Sequence, residues 1–323
     1  MKRAIGSILL IMAFTLVLAT YGLSWGSATH AFIAKRIGRL SIFFNSQEMY
    51  GLMAPDLFNY DFNLAYDPIL TVFTHGVPGN EGFMAVWEKA SWRDYQKSLA
   101  FGFVAHNDVW GADYTAHHQA LAISVPADFP SIPGVDPGYV IIKALALNSD
   151  PPMNGYFEAL GLSNSDPDQF RLRLEMCHNL VETAGDLIIR RVDPGIGEKI
   201  ISASVLRGRS FPELLIKALD NPDYNQIIRQ NEAQFRRLMI QYGAILAQPE
   251  VRAFEGLAEQ MAELGVAFIK QFTGQEIPLE RALEISKYGI KKSLQLCAPD
   301  YMNEIRKTIE NLRVELRNHN IHY

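Results

Sequence analysis

The sequence has little cysteine and no excess of basic residues. Cys177 and Cys297 are its only cysteines among 323 residues, so it is not a disulfide-rich scaffold. An oxidising compartment would permit one disulfide between them, and two buried thiols are the alternative. The net charge of −5 excludes the general basic footprint of a nucleic-acid-binding protein. A local basic groove is still compatible with this charge.

Several sequence patterns are also missing. No period of 20 to 50 residues repeats, which argues against a solenoid. No convincing set of alternating strands occurs, and after the first 20 residues no apolar run is long and clean enough to cross a membrane. A hydrophobic fraction of 48% with 20% charged residues is ordinary for a globular protein and excludes a largely disordered chain. A chain of this length can bury a substantial core.

The first residues are typical of a secretory signal peptide. Basic residues at positions 2–3 precede an almost wholly apolar run over 4–20. Gly22 and Ser24 are small residues at −3 and −1 relative to a cut before Trp25. We therefore predict that residues 1–24 are removed and that the product is secreted or periplasmic. A cut after Ala19 and an uncleaved membrane anchor are the alternatives.

The rest of the chain carries helical patterns, and we predict an all-α fold. Apolar and charged residues alternate with helical spacing over 28–40 and 82–99, and a longer helix is expected from about Trp92 or Lys97 to Ala122. Prolines and glycines break the pattern over 123–154, which predicts a long irregular surface excursion. Later helices are expected over 168–191, 197–206, 211–219, 222–246, 249–272, 278–296 and 299–317.

The predicted domain organisation has two parts. Residues 25–195 contain the candidate site residues and form the expected catalytic, metal-binding domain. Residues 196–323 form a C-terminal helical extension, which we expect to pack on the same core. The alternative is a separate C-terminal helical subdomain.

Histidine and acidic residues fall at informative spacings around position 106. In a continuous helix, His106, Asp113 and His117 lie within about 40° of one another at 100° per residue. Two imidazoles and a carboxylate on one stripe make a good zinc chelator. Asp108 would then lie on the opposite side, unless Gly111 distorts the helix. His118 adjoins His117 and points about 100° away, so at most one of the two is expected to bind a given metal.

Three further segments carry candidate ligands. His178 and Glu182 are four residues apart, so their side chains share a helix face. His30 follows the predicted new terminus at Trp25, whose free amine and carbonyl oxygen could chelate a metal if cleavage occurs there. In the last two segments, Asp56 follows a proline, and His75 follows an apolar run. Each of these residues is unremarkable alone.

Taken in order, these residues resemble the zinc-dependent phospholipase C and single-strand nuclease superfamily. The ordered pattern, which covers about half of the expected mature chain, is Trp25, His30, Asp56, His75, His106, Asp113, His117, His178 and Glu182. The resemblance implies an all-helical bundle, here with additional C-terminal helices, that holds three zinc ions and cleaves phosphodiester bonds.

The resemblance also implies a role for each residue. Trp25 and His30 would hold one zinc, His75 and His106 a second, and Asp113 would bridge these two. The third zinc would be held by His117, His178 and Glu182. Asp56 would act beside the metals, as a ligand or as the base that orients the attacking water.

One feature departs from the family pattern. There the bridging acid follows its histidine by one helical turn, but position 110 is tryptophan here. Asp113 and Asp108 therefore remain alternatives for the bridge, and His118 remains an alternative to His117.

Two substrate classes compete. Aromatic residues in the segment 57–62 could hold a quaternary ammonium head group, which favours a phospholipid substrate and transient contact with a membrane surface. Arg171, Arg173, Arg190 and Arg191 are candidates for a nucleic-acid groove, which would favour a single-strand nuclease. The acidic balance favours the lipid. A secreted lipid- or metal-binding protein without catalysis is the alternative from another class.

Overall fold

The computed structural model describes residues 25–61, 64, 67–132 and 135–323. The proposed signal peptide lies outside these residues. The described part is helical, and its one β-bridge, Val77 with Asn80, belongs to no strand. The predicted all-α fold is confirmed.

The longest interval between successive helices covers residues 118–138. The α-helices are α1 Ser27–Ile37, α2 Ile42–Met53, α3 Pro68–Thr74, α4 Met84–Lys89, α5 Gln96–His106, α6 Ala112–His117, α7 Tyr139–Asn148, α8 Pro151–Ala159, α9 Pro167–Val192, α10 Ile196–Leu206, α11 Phe211–Leu219, α12 Asn225–Leu246, α13 Glu250–Thr273, α14 Leu279–Cys297 and α15 Tyr301–Asn318. Short 3-10 helices are Ala54–Phe58, Arg93–Tyr95 and Pro222–Tyr224.

The helix expected to run to Ala122 is interrupted. Helix α5 ends at His106 and α6 begins at Ala112. Between them the Asn107 side-chain oxygen accepts hydrogen bonds from three successive backbone N–H groups, those of residues 109–111, at 2.8 to 3.1 Å. An asparagine side chain that captures backbone groups in this way competes with helix continuation. The prediction of one continuous stripe was wrong for this physical reason.

Two other sequence predictions need correction. The helix expected over 82–99 is split between α4 and α5, because Asp94 and Tyr95 adopt positive φ values of 49° and 57°. The excursion expected over 123–154 contains α7 and the start of α8. Pro137 lies just before α7, and Pro151 and Pro152 lie in the first turn of α8, where proline is compatible with helix.

One hydrophobic core joins the two halves of the chain. A continuous cluster of buried residues extends from Trp25 to Ile321. Helix α9 packs against α7, α13 and α14, and α2 packs against α10. Cys177 and Cys297 lie in this core as free thiols. Within the described residues, no helix combines the length and apolar character needed to cross a bilayer.

Helices α2 and α5 run in the same direction and touch closely. The rings of Phe44 and Tyr95 are 5.7 Å apart near the starts of these helices, and His106 Nδ1 lies 2.8 Å from the Leu52 carbonyl oxygen near their ends. A Cβ atom on Gly102 would lie 2.1 Å from the Glu48 carbonyl oxygen. Glycine therefore permits the contact, which brings the ends of both helices to one place.

Candidate metal centre

Asp186 of α9 fixes the amino terminus of α1. Its carboxylate accepts hydrogen bonds from the backbone N–H groups of Ala28 and Thr29 at 2.8 Å and from the Thr29 hydroxyl at 2.7 Å. The Tyr242 hydroxyl donates to the same carboxylate at 2.6 Å. These bonds satisfy N–H groups that the start of a helix leaves unpaired. They also hold in place the ligand candidates at the beginning of the described chain.

The Asp113 carboxylate lies between two groups of candidate ligands. Its Oδ1 atom is 3.3 Å from the Trp25 nitrogen and 3.3 Å from His30 Nε2. Its Oδ2 atom is 2.8 Å from His106 Nε2. A carboxylate that turns one oxygen toward each group has the geometry needed to bridge two cations.

Asp56, His75 and His106 meet beside Asp113. Asp56 Oδ1 is 3.4 Å from His75 Nε2 and 3.6 Å from His106 Nε2. The opposite ring nitrogens are engaged, His75 Nδ1 with the Thr74 hydroxyl at 2.7 Å and His106 Nδ1 with the Leu52 carbonyl. Such bonds orient an imidazole so that its other nitrogen faces the centre.

His117, His178 and Glu182 form the third group. The rings of the two histidines are 5.2 Å apart, and His178 Nε2 lies 2.5 Å from Glu182 Oε1. Asp108 Oδ1 lies 2.6 Å from His117 Nδ1, where a ring N–H donates to it. This arrangement directs His117 Nε2 toward its partners in the third group.

The structure separates the residues that the sequence left as alternatives. Asp113 lies among His30 and His106, whereas Asp108 lies 2.6 Å from His117 Nδ1. One ligand atom each of Asp108, Asp113 and His117 lies within 4.8 Å of the others. His118 is about one-third exposed and lies 2.7 Å from Asp136 on the surface. The geometry therefore favours Asp113 as the bridge and His117 as the ligand.

The three groups converge in space. The rings of His30 and His106 are 4.5 Å apart, and those of His75 and His106 are 4.9 Å apart. One ligand atom each from Asp113 and His117 lies within 4.8 Å of the other, which joins the third group to the first two. The nine residues chosen from the sequence thus surround one buried region.

Burial and charged neighbours shift the pKa values of several groups in this region. Burial lowers the pKa of His106, but the charges of Asp113 and Asp56 outweigh burial and raise that pKa to about 9. Burial raises the pKa of Asp113, but His106 and His30 hold it well below its usual range. Burial and the neighbouring carboxylates hold the pKa of Glu182 well above its usual range. A bound cation would stabilise this arrangement.

Several buried donor atoms have no hydrogen-bond partner among the described residues. They are Nε2 of His106, Nε2 of His117 and Oδ2 of Asp113. His106 Nε2 and Asp113 Oδ2 nevertheless lie 2.8 Å apart as an ion pair, so of these three atoms only His117 Nε2 has neither a hydrogen bond nor an ion pair. Buried polar atoms are almost always satisfied, so this nitrogen calls for a partner. Two of the groups could each hold a metal ion, namely Asp56, His75, His106 and Asp113 in one and His117, His178 and Glu182 in the other.

Sequence reasoning missed two supporting carboxylates. Asp186 follows Glu182 by four residues and continues the face of α9 that carries His178, so its spacing was a usable signal. Asp108 was considered only as a ligand. Its contact with His117 depends on the break between α5 and α6, which the spacing did not reveal.

A cavity of about 180 Å³ borders the centre. Asp56 and Glu182 line one part of it, together with Tyr60. The apolar part of its wall includes Met153, Met176, Leu180, Met261, Phe268 and Ile285. Glu175 also lines the cavity, and burial raises the pKa of its carboxyl to about 8. Leu57 and Phe58, in the aromatic segment, are instead buried in the core.

The arginines considered for a nucleic-acid groove have structural partners. Arg173 is fully buried and donates to the Asn148 side chain at 2.9 Å. Arg190 donates to the Leu246 carbonyl at 2.8 Å, and Arg191 pairs with Glu250. These contacts give no support to a basic groove at these positions.

Comparison of the chain with protein families, curated proteins and solved structures finds no match.

Proposed function

We propose that this protein is a zinc-dependent phosphodiesterase that acts on phospholipids after secretion. The observation that supports the proposal is the convergence of two ligand groups, one around Asp113 and one around His178, beside the Trp25 nitrogen and His30. One buried ligand atom, His117 Nε2, has no hydrogen-bond partner among the described residues. Imidazole-rich sites with a few carboxylates suit zinc better than magnesium or calcium.

The proposed ligand sets follow the three groups. The Trp25 amine and carbonyl oxygen with His30 form the first, His75 and His106 with Asp56 form the second, and Asp113 bridges them. The third set is His117, His178 and Glu182. Cleavage of the signal peptide before Trp25 would supply the free amine, since a backbone amide is a poor ligand. Zinc bound here would lower the pKa of a coordinated water and polarise the phosphate.

Asp56 is the proposed catalytic residue. It lines the cavity and also lies within 3.6 Å of two imidazoles, so it faces both the substrate space and the centre. In the proposed step, Asp56 accepts a proton from the attacking water as the new phosphorus–oxygen bond forms. The bond from phosphorus to the alcohol oxygen breaks as that oxygen takes a proton from a solvent water. Asp56 then releases its proton to solvent, so one water is consumed for each alcohol released.

The cavity favours a lipid substrate over a nucleotide. Its apolar wall would accommodate a hydrocarbon portion beside the phosphate, and apolar burial is the main source of binding energy in such pockets. The structural contacts of Arg173, Arg190 and Arg191 leave the nuclease alternative without a specific supporting observation.

Hydrolysis assays with two substrates test this proposal. The purified protein should release phosphocholine from a chromogenic phosphocholine ester, and His178→Ala should reduce that rate by at least about 100-fold, as losses of metal-site residues commonly do. His118→Ala is the matched control and should retain the rate. Cleavage of single-stranded nucleic acid alone would favour the nuclease, and an unchanged rate in His178→Ala would contradict both.

A further inference from the structure

Exposed apolar side chains cluster at one end of the molecule. Fourteen large hydrophobic residues are exposed in the described chain. Seven of them belong to three segments that lie close together in space, residues 40–43, 92–95 and 205–206. We call these seven the docking surface: Leu40, Ile42, Phe43, Trp92, Tyr95, Val205 and Leu206. Such concentration on one face is typical of an interaction site rather than of scattered surface residues.

Specific contacts bring the three segments together. The Arg39 guanidinium lies 6.0 Å from the Trp92 ring and 5.0 Å from the Phe44 ring, which joins the first two segments. Gln47 of α2 donates to the Leu206 carbonyl at 2.8 Å and accepts from the Gly208 N–H at 2.7 Å. These bonds join the third segment to α2.

The segment that carries Trp92 and Tyr95 is held in an unusual conformation. Asp94 and Tyr95 have consecutive positive φ values, which non-glycine residues seldom adopt. The Asp94 carboxylate accepts a hydrogen bond from the Ser210 N–H at 2.5 Å, and Gln96 donates to the Ser210 hydroxyl at 2.9 Å. Strained backbone fixed in this way is concentrated at functional positions.

Positive charge surrounds the docking surface although the whole chain is acidic. Arg39, Arg93 and Arg209 adjoin its three segments. Two acidic side chains also lie there, and both accept backbone hydrogen bonds: Glu48 from the Arg39 N–H and Asp94 from the Ser210 N–H. The Arg39 guanidinium also lies 4.1 Å from the Tyr323 ring centroid. The local positive charge is therefore opposite in sign to the net charge of the chain, which is −5.

We propose that the docking surface binds the interface of an anionic lipid bilayer. Leu40 is 104% exposed and Ile42 73%, so both project freely and would enter a fluid layer without needing a complementary solid surface. Tryptophan and tyrosine favour the boundary between lipid head groups and hydrocarbon. Arginines beside them would attract negatively charged head groups.

Binding at this surface would leave the metal centre open. The docking surface lies at the starts of α2 and α5, while Leu52 and His106 near the ends of these helices border the centre. Helix α2 alone, at 1.5 Å per residue, separates the two ends by roughly 18 Å. A bilayer bound here would lie roughly 18 Å from the centre, so this surface would anchor the protein and would not by itself bring a bilayer phospholipid to the ligands.

Vesicle flotation tests the inference. The purified protein should bind vesicles of phosphatidylcholine containing phosphatidylglycerol, and raising the salt concentration or omitting the phosphatidylglycerol should weaken binding at least about 5-fold. Phe43→Ser combined with Trp92→Ser should reduce partitioning at least about 10-fold, because apolar insertion supplies the affinity. Val251→Ser combined with Leu279→Ser is the matched control, since both residues are exposed away from this surface.

The outcomes separate the alternatives. Equal binding by the docking-surface variant and the control variant, with both folded by circular dichroism, would overturn the inference. So would absence of vesicle binding by the unaltered protein. Concentration-dependent self-association that disappears in the docking-surface variant, without vesicle binding, would identify a contact between copies instead. Vesicle binding does not depend on hydrolysis, so this inference and the proposed function can fail separately.

Discussion

At the scale of single residues, the buried carboxylates have different tasks. Asp113 and Asp56 face the imidazoles of the centre, whereas Asp186 and Asp108 hold other groups in position. The distinction comes from what each carboxylate contacts. A buried carboxylate that accepts several hydrogen bonds cannot be replaced without leaving donors unsatisfied.

Replacement of Asp186 tests its structural task. Asp186→Ala leaves the N–H groups of Ala28 and Thr29 without their acceptor, so we expect the free energy of unfolding to fall by about 2–3 kcal/mol. Asp168→Asn on the same helix is the control, because that side chain is exposed, and should change stability by less than about 0.5 kcal/mol. Urea denaturation measures both, and equal stabilities would contradict the assignment.

Glu175 provides a test of the polarity of the cavity. Burial raises its pKa from 4.5 to about 8, so the folded protein retains a proton that the unfolded chain releases. Stability therefore falls as pH rises from about 4.5 to about 8 through this group. The free energy of unfolding of Glu175→Gln, relative to that of the unaltered protein, should increase by about 1 kcal/mol or more between pH 5 and pH 8. Urea denaturation with a chelator present measures this difference. A difference independent of pH would contradict a buried carboxyl.

At the scale of elements, the close contact between α2 and α5 positions the ligands. Gly51 and Gly102 allow the helices to approach, since a Cβ at either position would lie 2.1 Å from a carbonyl oxygen of the other helix. Each helix ends at the centre. The contact thus places His106 beside the segment that carries Asp56.

Alanine at Gly102 should disrupt this contact. We expect Gly102→Ala to lower the free energy of unfolding by about 2–3 kcal/mol, because the neighbouring atom is backbone that cannot move away easily. Gly155→Ala in α8 is the matched control, since a Cβ there meets nothing within 4 Å. That change should stabilise the helix by up to about 1 kcal/mol. Similar effects of both changes in thermal denaturation would contradict the close packing.

The helices also show which parts of the fold local sequence patterns predict. Spacing and prolines predicted most helices after position 166 within a few residues, because those helices follow local apolar periodicity. The break after His106 was missed because it depends on one side chain, Asn107, which captures backbone amides. The role of Asp186 and the docking surface were missed for a different reason. Both arise from contacts between segments more than 50 residues apart.

At the scale of the whole molecule, one core connects the centre, the cavity and the docking surface. Residues from α1 to α9 supply the candidate ligands, while α12 to α14 complete the cavity wall. The C-terminal helices therefore shape the space next to the centre. The proposed exported product would use this arrangement to hold a lipid phosphate beside its ligands.

The zinc content of the purified protein tests the central claim most directly. Elemental analysis should find about three zinc ions per chain, held by imidazole and carboxylate ligands. His178→Ala should reduce the content to about two, because it removes one of the three ligands of the third group. Absence of tightly bound metal, or an unchanged content in His178→Ala, would contradict the account.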